Sequence, residues 1–245
     1  MNIALIRFYE ELNDFLPQCK RKASYPVQFN DHPSVKHLIE AERVPHTEVD
    51  LILINGISVS FTERVRHEDQ ISVYPVFESF DISPVQKLRP TPLREPRFIL
   101  DVHLGKLARY LRMLGFDSLY SSGYTDRQLV AFSLREQRAV LTRDRGLLMK
   151  RELERGYWIR SGHTTDQIRE VVLRFDLASS MHRHSRCSLC NGVLISSEET
   201  VAREQYPGHR FFSDTTFFQC SQCHKVYWRG SHCARVDRLI RESTP

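Results

Sequence analysis

Apolar residues fall along the chain in short runs of two kinds, alternating and helically spaced, and their order predicts the architecture. In residues 1–81 an apolar run from Ile3 to Phe8 and a candidate strand from Ala23 to Phe29 precede a helical pattern with Val35, Leu38 and Ile39 on one face. Val49 to Ile54 and Ile57 to Phe61 flank Asn55-Gly56, the strongest two-residue signal for a type I′ hairpin turn, and Ile71, Val73 and Pro75 begin a last strand. Pro84, Pro90, Pro92 and Pro96, interspersed with arginines, can neither continue a helix nor pair in a central strand, so residues 82–96 are expected to be a linker.

Beyond the linker the period switches repeatedly. Phe98 to Val102 fits a buried strand, and Leu104, Leu107, Ala108, Leu111 and Leu114 recur at helical spacing until Gly115. Ser118 to Ser121 predicts a short strand, and Thr125 with Gln128 three residues on forms a capping box ahead of Leu129, Val130, Phe132 and Leu134. Ala139 to Thr142 is a third strand, Leu147 to Leu153 a short helix, Tyr157 to Arg160 a fourth strand, and Thr164 to Phe175 a helix burying Ile168, Val171 and Val172. Alternating strands and helices over 97–182 imply a parallel, doubly wound α/β sheet.

Residues 183–245 carry the most specific chemistry. Cys187-Ser188-Leu189-Cys190 and Cys220-Ser221-Gln222-Cys223 are two C-x2-C pairs, which match tetrahedral Zn²⁺ coordination by four thiolates in a zinc ribbon. The 29 residues between the pairs exceed the usual ribbon spacing and require a hairpin or longer excursion, with Val193 to Ile195 and Phe217 to Gln219 as its arms. Two disulfides or a redox centre are the alternatives. The first eleven residues carry Arg7, Glu10 and Glu11 rather than a secretory pattern, and neither pair opens a helix after a strand, so a structural zinc is expected. A closed four-sulfur site has no open position, which moves any catalysis elsewhere.

The net charge of +5 conceals an asymmetry. Residues 1–86 hold 8 Lys and Arg against 13 Asp and Glu, and residues 87–245 hold 27 against 17. Positive charge beside a zinc ribbon favours a polyanionic partner, nucleic acid first. No apolar run is long enough to span a bilayer, so no membrane partner and a cytoplasmic location are expected.

In an open parallel sheet ligands gather beyond the carboxyl ends of the strands. Asp101 follows the first strand of the sheet, Asp126 opens the intervening helix and Asp144 follows Ala139 to Thr142. Three carboxylates at one edge repel unless a divalent cation neutralises them, and all-oxygen ligation suits Mg²⁺ or Mn²⁺, which can support phosphodiester cleavage. The competing roles are dipole compensation for Asp126, capping of the following helix for Asp144 and an ordinary strand end for Asp101.

The segments Phe98-Ile99-Leu100-Asp101, Gly105 to Asp117, Leu141-Thr142-Arg143-Asp144-Arg145, Ser185 to Asn191 and Tyr227 to His232 closely resemble the Mut-seven C-terminal RNase family, a PIN-like nuclease group, over about residues 97–241. That resemblance implies metal-dependent RNA cleavage with Asp101, Asp126 and Asp144 as the acidic positions, and Asp166 as the nearest candidate for a fourth. Residues 1–81 resemble the ubiquitin-like β-grasp of small sulfur-carrier proteins, a domain that bacterial members often carry in front. The terminal Gly-Gly of those carriers is missing, because Val76-Phe77-Glu78-Ser79 runs on into the linker, so a protein-recruiting or regulatory role is expected instead. Lys106, Arg109, Arg112, Arg143 and Arg145, with Arg186, Tyr227, Trp228 and His232 of the ribbon, are the RNA-binding candidates, supplying charge and stacking faces. A solvated helix face is the alternative for the first three, and ribbon core for Trp228. The expected protein is thus an endoribonuclease with a zinc ribbon that assists RNA binding. Its rivals are a non-catalytic RNA-binding adaptor, recruiting partners through the β-grasp domain, and a DNA nuclease.

Overall fold

The computed structural model describes residues 1–75, 87–88, 96–182, 184–212 and 215–228. Most of the expected linker and the candidate His232 lie outside these residues. In chain order the first strands are β1 (Asn2–Phe8) and β2 (Tyr25–Phe29), followed by helix α1 (Val35–Ala41), then β3 (Val49–Ile54), β4 (Ile57–Ser58) and β5 (Gln70–Pro75). Next come β6 (Phe98–Leu100), α2 (Gly105–Met113), β7 (Ser118–Tyr120), α3 (Asp126–Glu136), β8 (Ala139–Thr142), α4 (Arg145–Leu148), β9 (Gly156–Trp158) and α5 (Thr164–Arg174). The chain continues with β10 (Leu194–Ser197), α6 (Glu199–Gln205), β11 (Phe217–Cys220) and β12 (Val226–Trp228). Among the described residues no helix is long and apolar enough to cross a membrane.

The chain divides into two compact units, residues 1–95 with 144–158, and residues 96–143 with 159–245. In the first, five strands form one sheet in the order β2-β1-β5-β3-β4, with β1 and β5 parallel and the other pairs antiparallel. This is the ubiquitin-like arrangement. Alternation sets its core: Ala4, Ile6 and Phe8 of β1 point inward with Val27, Phe29, Ile52, Ile71 and Val73, while Ile3 and Leu5 face out. Helix α1 closes over that face through Val35, Leu38 and Ile39, and Ser34 caps it by accepting from the His37 N–H at 3.3 Å. Asn55 and Gly56 both have positive φ, 51° and 81°, as the predicted hairpin turn demands. The fourth strand is shorter than the expected Ile57 to Phe61, ending at Ser58.

The segment Asp144–Trp158 belongs to this first unit, which the sequence pattern does not anticipate. Glu48 accepts from the Trp158 N–H at 2.6 Å, His46 Nε2 lies 2.8 Å from the Leu153 carbonyl, and the Trp158 ring lies 5.1 Å from that of Phe15. Glu48 and His46 are buried, so these polar contacts are made away from water, where leaving them unmade would cost about 1–3 kcal/mol each. The helix in this segment is a single turn, Arg145–Leu148, shorter than the Leu147 to Leu153 helix expected.

The second unit is built on parallel strands. β6 pairs in parallel with β7 (Phe98 opposite Ser118) and with β8 (Phe98 opposite Ala139). Every residue of β6 and β8 is buried, the continuous apolar reading of a strand covered on both faces. The strand from Phe98 ends at Leu100 rather than Val102, because Asp101 turns the chain by capping the turn Val102–Leu104. Helices α2 and α5 bury Leu107, Ala108 and Leu111, and Ile168, Val171 and Val172. The Thr125–Gln128 capping box opens α3 as predicted. Gly115 ends α2 at φ +101°, and a Cβ there would fall 2.1 Å from the His182 carbonyl oxygen, so only glycine fits.

Candidate nuclease centre and zinc ribbon

Each C-x2-C pair forms the same tight turn. The Cys190 N–H donates to Cys187 Sγ at 3.4 Å and the Cys223 N–H to Cys220 Sγ at 3.4 Å. The residue after each second cysteine, Asn191 (φ 71°) and His224 (φ 59°), is left-handed and returns its N–H to the first cysteine's carbonyl at 2.9 and 3.0 Å. Gly192 lets the turns close, since a Cβ there would lie 2.8 Å from Cys220 Sγ. Antiparallel pairing of β10 with β11, Ile195 opposite Gln219, then brings the two turns together.

The four sulfurs lie within 4.8 Å of one another, with Cys187 to Cys223 at 3.6 Å and Cys190 to Cys220 at 3.4 Å. These separations exceed a disulfide's roughly 2.05 Å and lie slightly below the roughly 3.8 Å edge of a tetrahedron with Zn–S of about 2.3 Å. Burial opposes ionisation of Cys187, but hydrogen bonds from the Tyr227 hydroxyl (3.0 Å) and from the Cys190 and Leu189 backbone outweigh it and bring the thiol down to about 6. Cys190 is pushed up to about 12 by burial, and Cys223 is raised for the same reason. Neighbouring sulfurs this close cannot all carry charge by themselves. A divalent soft-tolerant cation removes that conflict, so the donor set fits zinc.

The ribbon is fastened to the sheet module by polar contacts. Asp117, just before β7, accepts from Arg138 Nη1 at 2.7 Å and from Asn191 Nδ2 at 2.7 Å. Burial alone would raise its carboxyl, but the bonds from Arg138 and Asn191 hold it below the usual range. Asn191 Oδ1 in turn accepts from the Ser118 N–H at 3.0 Å.

The acidic candidates occupy unequal environments. Asp101 is buried, at 5% exposure. Its Oδ1 accepts from the His103 N–H at 2.8 Å, and its Oδ2 from the Arg143 N–H at 2.9 Å and the Thr142 hydroxyl. Its carboxylate is therefore fixed at the carboxyl end of β6, beside the end of β8. Asp126 is exposed in the first turn of α3, Asp166 is exposed in the first turn of α5, and Asp144 is exposed and caps α4 by accepting from the Gly146 N–H at 2.7 Å. Among the described residues the four cysteines form the one group of three or more His, Cys, Asp and Glu side chains close enough to share an ion.

The basic candidates also divide. Lys106 and Arg109 are exposed on α2, and Arg143 is exposed after β8. Arg112 does not join them: at 5% exposure it donates from Nε to the Ser118 carbonyl at 2.7 Å and from Nη1 to the Leu189 carbonyl at 2.8 Å. The expected phosphate contact of Arg112 is thus replaced by a brace between α2, β7 and the first cysteine turn. Arg186 Nη2 lies 3.6 Å from Asp117 Oδ2, and Arg145 stacks over Trp158, 3.7 Å from its ring centre. Tyr227 spends its hydroxyl on Cys187, and Trp228 packs against Tyr206 and Phe211 in a small apolar cluster with Phe217 and Val226.

What the sequence patterns missed is the content of the long excursion. It holds α6 and an aromatic and basic segment, Tyr206 to Phe212, whose density of rings between two cysteine pairs was the available signal. Residues 1–81 match the Mut7-C ubiquitin domain and residues 96–240 the Mut7-C RNAse domain. No curated protein and no solved structure matches the chain. With its cysteine cluster inside a match that spans more than half its length, the chain belongs to the Mut7-C RNAse domain family, a nuclease family.

Proposed function

We propose that this protein is a metal-dependent endoribonuclease in which Asp101, Asp126 and Asp144 hold Mg²⁺ or Mn²⁺, assisted by the zinc ribbon in binding RNA. The observation that carries the reading is Asp101. A buried carboxylate anchored by two backbone N–H groups and the Thr142 hydroxyl, at the carboxyl edge of a parallel sheet, keeps acceptor capacity on Oδ1 beyond the His103 bond. Hard oxygen donors of this kind suit Mg²⁺ or Mn²⁺. When bound, the ion would neutralise charge developing on the phosphate and lower the pKa of the attacking water.

The chain's own residues supply the rest. Asp101 fixes the position of the site, while the exposed Asp126 and Asp144 side chains complete the oxygen set, with Asp166 as a fourth candidate. Lys106, Arg109 and Arg143 hold the phosphate backbone. Because water rather than the ribose 2′-hydroxyl attacks, products should carry 5′-phosphate and 3′-hydroxyl ends. Chelation by EDTA should stop cleavage and added Mn²⁺ should restore it; products ending in 2′,3′-cyclic phosphate would refute the mechanism.

The second reading is the RNA-binding adaptor. It is favoured by the separate observation that the cysteines alone form a ready-made ligand cluster among the described residues. RNA binding without metal-supported cleavage would select it. In either reading the ubiquitin-like domain recruits a protein partner or regulates the second unit.

A further inference from the structure

Helix α2 and the ribbon enclose a cleft of about 620 Å³. Arg109 and Met113 of α2 form one wall, and the segment from Tyr206 to Phe212 forms the other. Its floor is Lys225 to Trp228, with Ser188 from the first cysteine turn. Such a volume falls within the roughly 300–1000 Å³ of small-ligand sites, room for an unpaired base and its sugar but not for a duplex.

Three features of the lining identify the occupant. Arg109, Arg210 and Lys225 place three cations around it, and no carboxylate is among the described lining residues, so these side chains favour an anion. The rings are organised from below: Tyr206, His209 and Phe211 rest on Trp228 with ring centres 5.0, 5.1 and 5.2 Å away, which fixes the aromatic wall. That mutual packing accounts for those rings as local core. It does not account for Phe212, which stands 82% exposed at the same cleft and belongs to no buried cluster among the described residues. A purely apolar partner would gain nothing from three cations, and a simple anion would gain nothing from an exposed phenyl ring. Single-stranded nucleic acid uses both, because its phosphates meet the cations and its unstacked bases cover aromatic faces.

From this geometry we infer that the cleft between α2 and the Tyr206–Phe212 segment binds single-stranded RNA, with a base stacked on Phe212 and phosphates on Arg109, Arg210 and Lys225. The choice of RNA rests on the ribonuclease reading, and it deepens that reading by restricting the substrate to unpaired strands. The cleft also explains why the cysteine pairs are so far apart in sequence: the excursion between them builds the wall. Tyr227, which lines the floor and bonds Cys187, ties the cleft to the zinc turn.

The test is fluorescence anisotropy with the full-length, zinc-loaded protein and no added Mg²⁺ or Mn²⁺, so that binding is read apart from cleavage. The probes are a short unstructured RNA of mixed sequence and the same RNA annealed to its complement. The single strand should bind at least about tenfold more tightly than the duplex. A variant carrying Arg210→Ala and Phe212→Ala should lose on the order of tenfold in single-strand affinity while keeping its zinc content and circular dichroism. Arg210→Ala alone should reduce the slope of log affinity against log salt by about 0.7. Equal affinity for strand and duplex, or wild-type single-strand binding by the double variant, would overturn the assignment. Absence of metal-dependent cleavage alongside this binding pattern would instead remove the nuclease reading and leave the cleft standing.

Discussion

Asp117 accepts a 2.7 Å hydrogen bond from the Asn191 side chain while Arg138 holds it from the other side, so one carboxylate joins the parallel sheet to the first zinc turn. Arg138 is itself buried, with a side chain only 7% exposed. Removing Asp117 therefore strands a buried cation that Glu136 alone must balance. Asp117→Ala should cost about 3 kcal/mol in urea denaturation at pH 7. Because Asp117 titrates below its unfolded value, its contribution is full above the unfolded pKa of about 3.9 and is lost as pH falls through the folded one. The stability difference between wild type and Asp117→Asn should accordingly persist from neutral pH down to about 4 and shrink below it. A difference that grows on acidification would contradict this assignment.

Arg112 and Arg109 sit three residues apart on α2 yet predict opposite phenotypes. Arg112→Ala leaves two carbonyls, of Ser118 and Leu189, without their donor and should destabilise the fold by roughly 3 kcal/mol. Arg109→Ala, at an exposed position, should leave the thermal midpoint unchanged and weaken RNA binding. Thermal unfolding and anisotropy on the same two proteins separate the roles. Equal stability of both variants would show that the Arg112 brace is unimportant.

Zinc should be lost in two grades. Cys190→Ser removes a ligand and should lower bound zinc in elemental analysis and open the ribbon to protease. Tyr227→Phe keeps all four sulfurs but deletes the hydroxyl bonded to Cys187, and zinc affinity should fall by about tenfold in a competition assay with a chromogenic chelator. Freshly purified wild-type protein without zinc would refute the site.

The ubiquitin-like domain carries a structural duty beside any recruiting role. Its Glu48 and His46 side chains bind the backbone of Trp158 and Leu153. Deleting residues 1–81 should expose the 144–158 segment, detected as faster proteolysis there than in the full chain. Unchanged protection would show that these contacts contribute nothing.

Much of this was legible in the residues. Alternation in β1 and β5, the Asn55-Gly56 turn, the Thr125 capping box and the paired cysteines each have a local physical cause, so each could be read without the rest of the molecule. Helix α6 and the aromatic wall were not read, because the small cluster around Ala202, Phe217 and Val226 is assembled by residues distant in sequence. Arg112 looked like a surface arginine for the same reason. Spacing on a helix gives its face, but only Leu189, 77 residues away, shows that the face is covered. The allegiance of residues 144–158 to the first unit likewise depends on contacts with Glu48, 110 residues from Trp158.

The central claim concerns Asp101 and Asp144, and the direct measurement is the rate of RNA cleavage in Mg²⁺ or Mn²⁺ by wild type, Asp101→Asn and Asp144→Asn. Each substitution keeps the side chain's size and removes a charge that would hold the ion, so cleavage should fall by orders of magnitude while RNA binding persists. Zinc content should be unchanged, since neither residue belongs to the cysteine cluster. If both variants cut RNA at the wild-type rate, the proposed centre is wrong.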